Sequence, residues 1–285
     1  MIDKLSRLNR QRKLMRHQRK LESRIAAQAA RPDAVSADEV TAFLRSICLT
    51  STGHSLCRIG SDQDGGYLLA DDFDGIVACY SPGVSDEIEF DLALAERGIA
   101  VHMADASVDS PTDMRSNMTF LPKFLGAQTE GEFISLEDWI AQSDTGSGDL
   151  LLEIDIEGAE YNVLAAVSTD TLTRFRQMVI ELHDFDRIYE RAHFDMVSAL
   201  FARLQTHFDI IHLHHNNSLP LVASPSGQLS TVFEATLLRR DRQIVDTALP
   251  QLPHLLDRPN VAKHPDEVLP EFYTLTVTPF QDQIP

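Results

Sequence analysis

The sequence has few of the features that mark membrane-spanning, disulfide-stapled or zinc-binding proteins. Among its 285 residues only three are cysteines, at Cys48, Cys57 and Cys79, and none of them has CxxC spacing. This pattern excludes a disulfide framework and a cysteine-rich zinc site. No stretch approaches the roughly 20 apolar residues that span a bilayer, and the N-terminus lacks the apolar core of a secretory signal. We therefore expect a protein of the reducing cytoplasm.

Positive charge is scarce outside one segment. The chain has 25 Lys and Arg against 43 Asp and Glu, a formal net charge of -18. Residues 1–33 contain ten Lys or Arg and three acidic residues, a net of +7, so the remaining 252 residues carry -25. A body this acidic repels the phosphates of DNA and RNA. A nucleic acid partner is therefore not expected.

The basic segment has the pattern of an amphipathic helix. It contains no Gly or Pro before residue 32, and apolar residues recur at roughly helical spacing among the basic ones. These residues are Leu5, Leu8, Met15, Leu21 and Ile25. The sequence predicts a helical arm over residues 1–32 and a domain over 33–285 with an irregular tail from about residue 250. The arm either packs on its own acidic domain or on a second copy, or binds peripherally to the anionic inner membrane surface.

From about residue 56, short β-rich runs alternate with helical segments. This pattern predicts an α/β fold in which a mostly parallel sheet carries helices on both faces. The seven predicted strands are residues 76–80, 99–104, 119–121, 149–154, 178–183, 210–214 and 232–239. The predicted helices are residues 87–97, 136–142, 159–167 and 187–206. The connection between the last two strands is too short for a crossover helix, so these strands should pair antiparallel.

Polar residues follow several of these strands, at the sheet edge where ligands of parallel sheets bind. The first strand runs into Ser81-Pro-Gly83-Val-Ser85, a turn of small residues that lets a ligand approach the backbone. Its structural alternative is a tight turn in which Ser85 or Asp86 caps the next helix. The second strand ends at Asp105, where a carboxylate can accept hydrogen bonds from both hydroxyls of a ribose or simply cap the following turn.

The most informative segment is the apolar strand 149–154, which is followed by Asp155 and Glu157. Two carboxylates two residues apart project to one face of an extended chain, where they can hold a divalent metal or supply a general base. Helix capping is the alternative for Glu157. The next strand brings Glu181 and His183 to the same edge, and an imidazole there can take a proton from a hydroxyl or ligate a metal.

Two further histidines and one loop are assigned less distinctive roles. We expect His212 in the core and His215 at the surface. The run Asp64-Gly65-Gly66-Tyr67 has the composition of a hairpin turn, although a ligand-facing loop is also possible.

The sequence resembles the FkbM-type S-adenosylmethionine-dependent methyltransferases. The resemblance depends on Asp155-Ile-Glu-Gly-Ala-Glu160, on Ile180-Glu-Leu-His183, and on the closing His214-His-Asn-Asn217 with Phe233-Glu-Ala-Thr-Leu-Leu-Arg-Arg240. Arg58-Ile-Gly60, Asp64-Gly-Gly-Tyr67, Tyr80-Ser-Pro-Gly-Val84 and Leu256-Asp-Arg-Pro-Asn260 resemble one branch of that family.

The resemblance implies a Rossmann-like class I methyltransferase fold and O-methylation of a sugar or glycan hydroxyl. It implies that Asp64, Gly65, Ser81, Gly83 and Ser85 line the cofactor site, that Asp105 holds the ribose, and that Asp155 lies near the transferred methyl group. Asp155 and His183 are the expected catalytic residues. Mg²⁺ or another divalent cation is a possible cofactor, with Asp155, Glu157, Glu181 and His183 as its candidate ligands.

Two alternatives remain open. The loop Ser81–Ser85 has one glycine where the family usually has two or three, which leaves room for a non-catalytic cofactor- or glycan-binding protein. An NAD-dependent oxidoreductase on the same type of sheet is disfavoured because the chain has no GxGxxG fingerprint.

Overall fold

A computed structural model describes residues 2–85, 87–143, 145–245 and 250–270, with side chains from residue 12 onward. Three expectations therefore fall outside the described residues. They are the helix-capping role of Asp86, the orientation of Leu5 and Leu8 in the arm, and the end of the tail beyond residue 270.

The centre of the molecule is a seven-stranded sheet. Its strands are β3 Ile76–Pro82, β4 Ala100–Ala104, β5 Met118–Leu121, β8 Asp149–Ile154, β9 Phe175–Leu182, β10 Phe208–His215 and β13 Phe233–Arg239. Their order across the sheet is β10-β13-β9-β8-β3-β4-β5. All neighbouring pairs are parallel except those of β13, which is antiparallel to both β9 and β10. The seven predicted strands and the antiparallel final pair are confirmed, and so is the Rossmann-like α/β fold.

Alternation along the strands builds a core on each face of the sheet, because successive side chains point to opposite sides. In β8, Leu150 and Leu152 join the larger cluster, whereas Leu151 joins the smaller one. The helices against the larger cluster are α2 Ala37–Ser46, α4 Leu136–Ser143, α5 Glu160–Ala166, α6 Thr169–Leu172 and α7 Arg191–His207. The other face is covered by α3 Glu89–Glu96 and by an antiparallel hairpin of β1 Leu56–Gly60 and β2 Gly66–Ala70.

The N-terminal segment forms the helix α1, Ile2–Ala29, and its described part lies against the domain. Leu21 and Ile25 are buried in the larger cluster. Arg24 forms an ion pair with Asp186, and Gln28 Nε2 donates a hydrogen bond to Glu190 Oε1 at 2.9 Å. These contacts correspond to packing of the arm on its own domain, while membrane association remains a prediction. No described helix combines the length and apolarity needed to cross a bilayer.

Short elements fill the loops that sequence periodicity did not resolve. A parallel pair, β6 Phe124–Gly126 and β7 Phe133–Ser135, follows β5. A hairpin of β11 Val222–Ser224 and β12 Gly227–Leu229 lies within the connection from β10 to β13. His212 is buried, as expected, but the surface position predicted for His215 is wrong. His215 is 1% exposed, and its Nδ1 lies 2.7 Å from Ser230 Oγ, just beyond the hairpin.

The C-terminal segment returns across β10 as an irregular chain. His212 Nε2 lies 2.9 Å from Asp257 Oδ1, and Asn217 Nδ2 donates a hydrogen bond to the carbonyl of Val261 at 3.2 Å. Residues 250–270 contain no helix or strand, and these contacts attach them to the sheet.

Candidate active site

The carboxyl ends of β3, β4 and β8 meet at an open cavity of about 640 Å³. All seven residues that the sequence assigned to cofactor binding line it: Asp64, Gly65, Ser81, Gly83, Ser85, Asp105 and Asp155. Asp64 and Gly65 reach it from the turn between β1 and β2, so the hairpin considered for this run is present and its turn lines the cavity.

The loop after β3 is held in contact with the end of β8. Gly83 has φ +93°, and a Cβ atom at this position would collide with the backbone carbonyl of Asp155. Only glycine fits at this position, because the backbone of Asp155 occupies the space of a side chain. The expected capping role of Ser85 is wrong, because α3 begins only at Glu89 and has no side-chain cap. Ser85 Oγ instead accepts a hydrogen bond from the backbone N–H of Glu87 at 3.2 Å.

Asp105 directly follows β4 at the cavity wall. Its Oδ1 accepts hydrogen bonds from the backbone N–H and from the hydroxyl of Ser107, both at 2.6 Å. Through this oxygen Asp105 caps the turn that follows β4, which is the structural alternative considered for it. Oδ2 has no hydrogen-bond partner in the part of the chain that the structure describes, which leaves it available to a ligand.

Two buried acids that sequence reasoning missed lie behind the loop, Glu153 on β8 and Asp91 on α3. Ser81 Oγ donates a hydrogen bond to Glu153 Oε2 at 2.9 Å. Burial, with the charges of Asp155 and Asp91, raises the pKa of Glu153 well above its usual range. Burial also raises the pKa of Asp91 to about 7, although a hydrogen bond with Ser81 opposes this. For Glu153, the sequence did offer a signal, since it is a charged residue inside the apolar strand 149–154.

Asp155, Glu181 and His183 converge beside the cavity. One ligand atom of each lies within 4.8 Å of those of the other two. His183 Nε2 is 3.8 Å from Asp155 Oδ1 and 3.5 Å from Glu181 Oε1. Asp155 Oδ1 and Glu181 Oε2 are buried without a hydrogen-bond partner among the described residues.

Neighbouring side chains orient this cluster. His183 Nδ1 lies 3.1 Å from Glu160 Oε1, an acceptor, so this nitrogen carries the proton and Nε2 is directed at the other two acids. The same Glu160 oxygen accepts hydrogen bonds from the backbone N–H groups of Ile156 and Gly158. Asn216 Nδ2 donates to Glu181 Oε1 at 2.8 Å. Glu160 and Asn216 were not among the predicted site residues.

Burial and like charge shift the pKa values of the cluster. Burial raises the pKa of Asp155 to about 7, which Glu157 and Glu160 reinforce and His183 opposes. Burial lowers the pKa of His183, but Glu160 and Asp155 outweigh it and raise the value to about 8. Both pKa values therefore lie close to neutral pH, the range in which a general acid–base pair operates.

Glu157 differs from the expectation that it would share one face of an extended chain with Asp155. Its φ is +56°, so the chain turns immediately after the strand. Its side chain is 88% exposed, against 33% for Asp155, although its Oε2 lies 3.7 Å from His183 Nε2. Glu157 is thus at the rim of the cluster.

The tail contributes a further residue that sequence reasoning missed. Asn260 Nδ2 donates hydrogen bonds to Glu234 Oε1 at 2.6 Å and to Asp64 Oδ1 at 3.0 Å. Glu234 lies opposite Glu181 in the β13–β9 register. Asn260 also lines a second cavity of about 940 Å³, which shares Asp64 with the first.

The sheet order, with one reversed strand, and the site at its carboxyl edge define a Rossmann-like methyltransferase fold. Residues 100–209 match the methyltransferase FkbM domain, from β4 to the start of β10. This span covers 110 of the 285 residues and includes Asp105, Asp155 and His183. The match confirms the resemblance to the FkbM family and supports a methyltransferase. No curated protein matches the chain.

Proposed function

We propose that the protein transfers the methyl group of S-adenosylmethionine to a hydroxyl group of a sugar or glycan. One observation carries this proposal: Asp155 belongs both to the lining of the 640 Å³ cavity and to the cluster that contains His183. A cofactor bound in this cavity would therefore lie next to a proton-accepting group.

The cavity suits S-adenosylmethionine in size and charge. Its volume lies within the roughly 300–1,000 Å³ typical of small-molecule sites. Asp91 Oδ1 is buried in its wall without a hydrogen-bond partner among the described residues, and an ammonium group supplies such a partner. The free Oδ2 of Asp105 suits a ribose hydroxyl. When bound, the cofactor supplies an electrophilic methyl group on a positively charged sulfur.

The remaining task of the protein is to position the acceptor and remove its proton. A sugar hydroxyl is a weak acid, so methylation needs a base within hydrogen-bonding reach of the reacting oxygen. His183 suits this role because Glu160 holds its Nδ1–H and leaves Nε2 directed toward Asp155. Asp155 orients the hydroxyl between the cavity and the imidazole.

The second cavity supports a hydroxyl-rich acceptor. Its lining is dominated by hydroxyl, amide and carboxylate groups, and none of its described lining residues is basic. Hydroxyl groups of a carbohydrate can donate hydrogen bonds to these acceptors. A phosphorylated acceptor would meet only like charge there.

Calorimetric titration with S-adenosylmethionine, S-adenosylhomocysteine and NAD tests this function first. We expect micromolar binding of the two adenosyl compounds and no binding of NAD. A panel of neutral oligosaccharides is then tested for methyl transfer. Cofactor binding without turnover on the whole panel would favour the non-catalytic alternative, and binding of NAD alone would favour the oxidoreductase.

A further inference from the structure

We infer that Asp155, Glu181 and His183 form a binding site for a divalent cation of the Mg²⁺ or Mn²⁺ type. The site lies where the chain leaves the adjacent parallel strands β8 and β9. What the ion does for catalysis rests on the proposed function, but its binding does not.

The first argument is that these side chains do not satisfy one another. The separations of 3.5 and 3.8 Å between His183 Nε2 and the two carboxylates exceed the roughly 2.7–3.2 Å of an N–H···O hydrogen bond. Glu181 is 5% exposed, and its Oε2 has no partner within the described part of the chain. A buried carboxylate oxygen without a partner is costly, so a missing ligand is indicated.

The second argument is the spacing. Ligands about 2.1 Å from an octahedral ion lie about 3.0 Å apart when adjacent and about 4.2 Å apart when opposite. The separations of His183 Nε2 from Glu181 Oε1, at 3.5 Å, and from Asp155 Oδ1, at 3.8 Å, fall between these limits. One ligand atom of each residue lies within 4.8 Å of those of the other two, and a rotation that turns Glu181 Oε2 toward His183 would let one ion contact all three groups.

The third argument is that two of the three ligands are already held by neighbours, as metal ligands usually are. Glu160 accepts the proton of His183 Nδ1, which leaves Nε2 for an ion. Asn216 donates to Glu181 Oε1 and leaves Oε2 for an ion. These two partners lie outside the cluster and orient its donor atoms.

The donor set indicates which ion binds. Two carboxylates and one imidazole, with solvent on the Glu157 side, suit a hard cation that keeps several water ligands. The cluster contains no cysteine, the ligand that is typical of structural zinc sites. Mn²⁺ accepts both oxygen and imidazole ligands and serves as the probe.

Bound beside the cavity, such an ion would lower the pKa of an acceptor hydroxyl in contact with it. In the ion-bound form His183 Nε2 would be a ligand, so the acceptor proton would leave to solvent and not to this imidazole. In the ion-free form His183 would act as the base proposed above, and once protonated it would place a positive charge between the two carboxylates.

The test is a titration of the full-length protein with Mn²⁺, followed by electron paramagnetic resonance of the free ion. We expect one saturable site with a dissociation constant below about 100 µM. Glu181→Gln should weaken binding at least about tenfold. The matched control Glu157→Gln should change it less than about threefold, because a carboxylate that is 88% exposed is screened by solvent.

Absence of saturable Mn²⁺ binding to the wild-type protein would overturn the site. Equal weakening by the two variants would also overturn it, since diffuse negative charge would then hold the ion. If Glu181→Gln lowers the melting temperature strongly, Asp155→Asn takes its place. Affinity for S-adenosylmethionine is measured in parallel, so that loss of the cofactor function and loss of the ion site are distinguishable.

Discussion

Strand β8 has an aspartate at each end, and the two have opposite environments. Asp149, its first residue, accepts hydrogen bonds from Arg176 Nε and Arg239 Nη1, both at 2.8 Å. These arginines outweigh the effect of burial and lower the pKa of Asp149. Asp155, just past the last residue, has His183 as its one cationic neighbour among the described residues, and burial raises its pKa to about 7. The strand therefore has an acid paired with two arginines at one end and an acid opposed by a single histidine at the other.

The difference separates a structural edge from a functional one. At the amino edge, Arg176 also contacts Asp72, which Arg242 binds in turn, so the charges form a closed network. At the carboxyl edge, acids face acids and histidine. Such an arrangement costs stability and is typical of sites that bind a ligand or move a proton. The comparison predicts which acids the protein needs for folding and which for activity.

The largest expected effect is on turnover. Asp155→Asn should lower the rate of methyl transfer at least about a thousandfold, because it removes a group that positions the acceptor and balances His183. Affinity for S-adenosylmethionine should stay within a few-fold. The rate is measured on any acceptor that the wild-type protein methylates.

Asp149→Asn is the control for this loss, since it changes the same side chain at the other end of β8. Assayed below its melting temperature, it should keep a rate close to that of the wild-type protein. Wild-type turnover in Asp155→Asn would contradict the catalytic assignment.

When the free energy of unfolding is measured, Asp149→Asn should be the more damaging of the two variants. Asp149→Asn removes one of the two carboxylates that pair with Arg176, which is 5% exposed, and leaves it with Asp72. Because a buried ion pair is broken, we expect a loss of about 3 kcal/mol in the free energy of unfolding. Asp155→Asn relieves like-charge repulsion and should change it by less than about 1 kcal/mol, or increase it. Urea denaturation of both variants measures this, and equal losses would refute the contrast between the two edges.

Sequence reasoning predicted the sheet because each of its strands is a short apolar run bounded by polar residues. The short gap before β13 also predicted its antiparallel pairing correctly. Asp155 and His183 were predicted to lie close together because they directly follow or end such runs, which places them at one edge of any parallel sheet.

The missed residues come together only in three dimensions. Asn260 binds Asp64, which lies 196 positions away in the chain, and no local pattern indicates such a contact. The misplacement of His215 has a similar cause, because the β11–β12 hairpin and Ser230 lie in a connection without clear periodicity. Glu153 and Asp91 lie on elements that were predicted, yet their burial depends on how α3 packs against the sheet.

The smallest expected effect concerns Asp91, a third acid without a cationic partner. Burial raises its pKa to about 7 in the folded protein, above the roughly 3.9 of an unfolded chain. The folded state therefore binds the proton more tightly, and stability decreases as pH rises between these two values. Asp91→Asn should gain about 2 kcal/mol over the wild-type protein at about pH 5.5 and almost nothing at about pH 3.5. Urea denaturation at both pH values measures the difference.

Glu96→Gln on the same helix, where the acid is 66% exposed, is the control and should show no such pH dependence. An equal gain for Asp91→Asn at both pH values would mean that packing, not charge, limits the wild-type protein at this position.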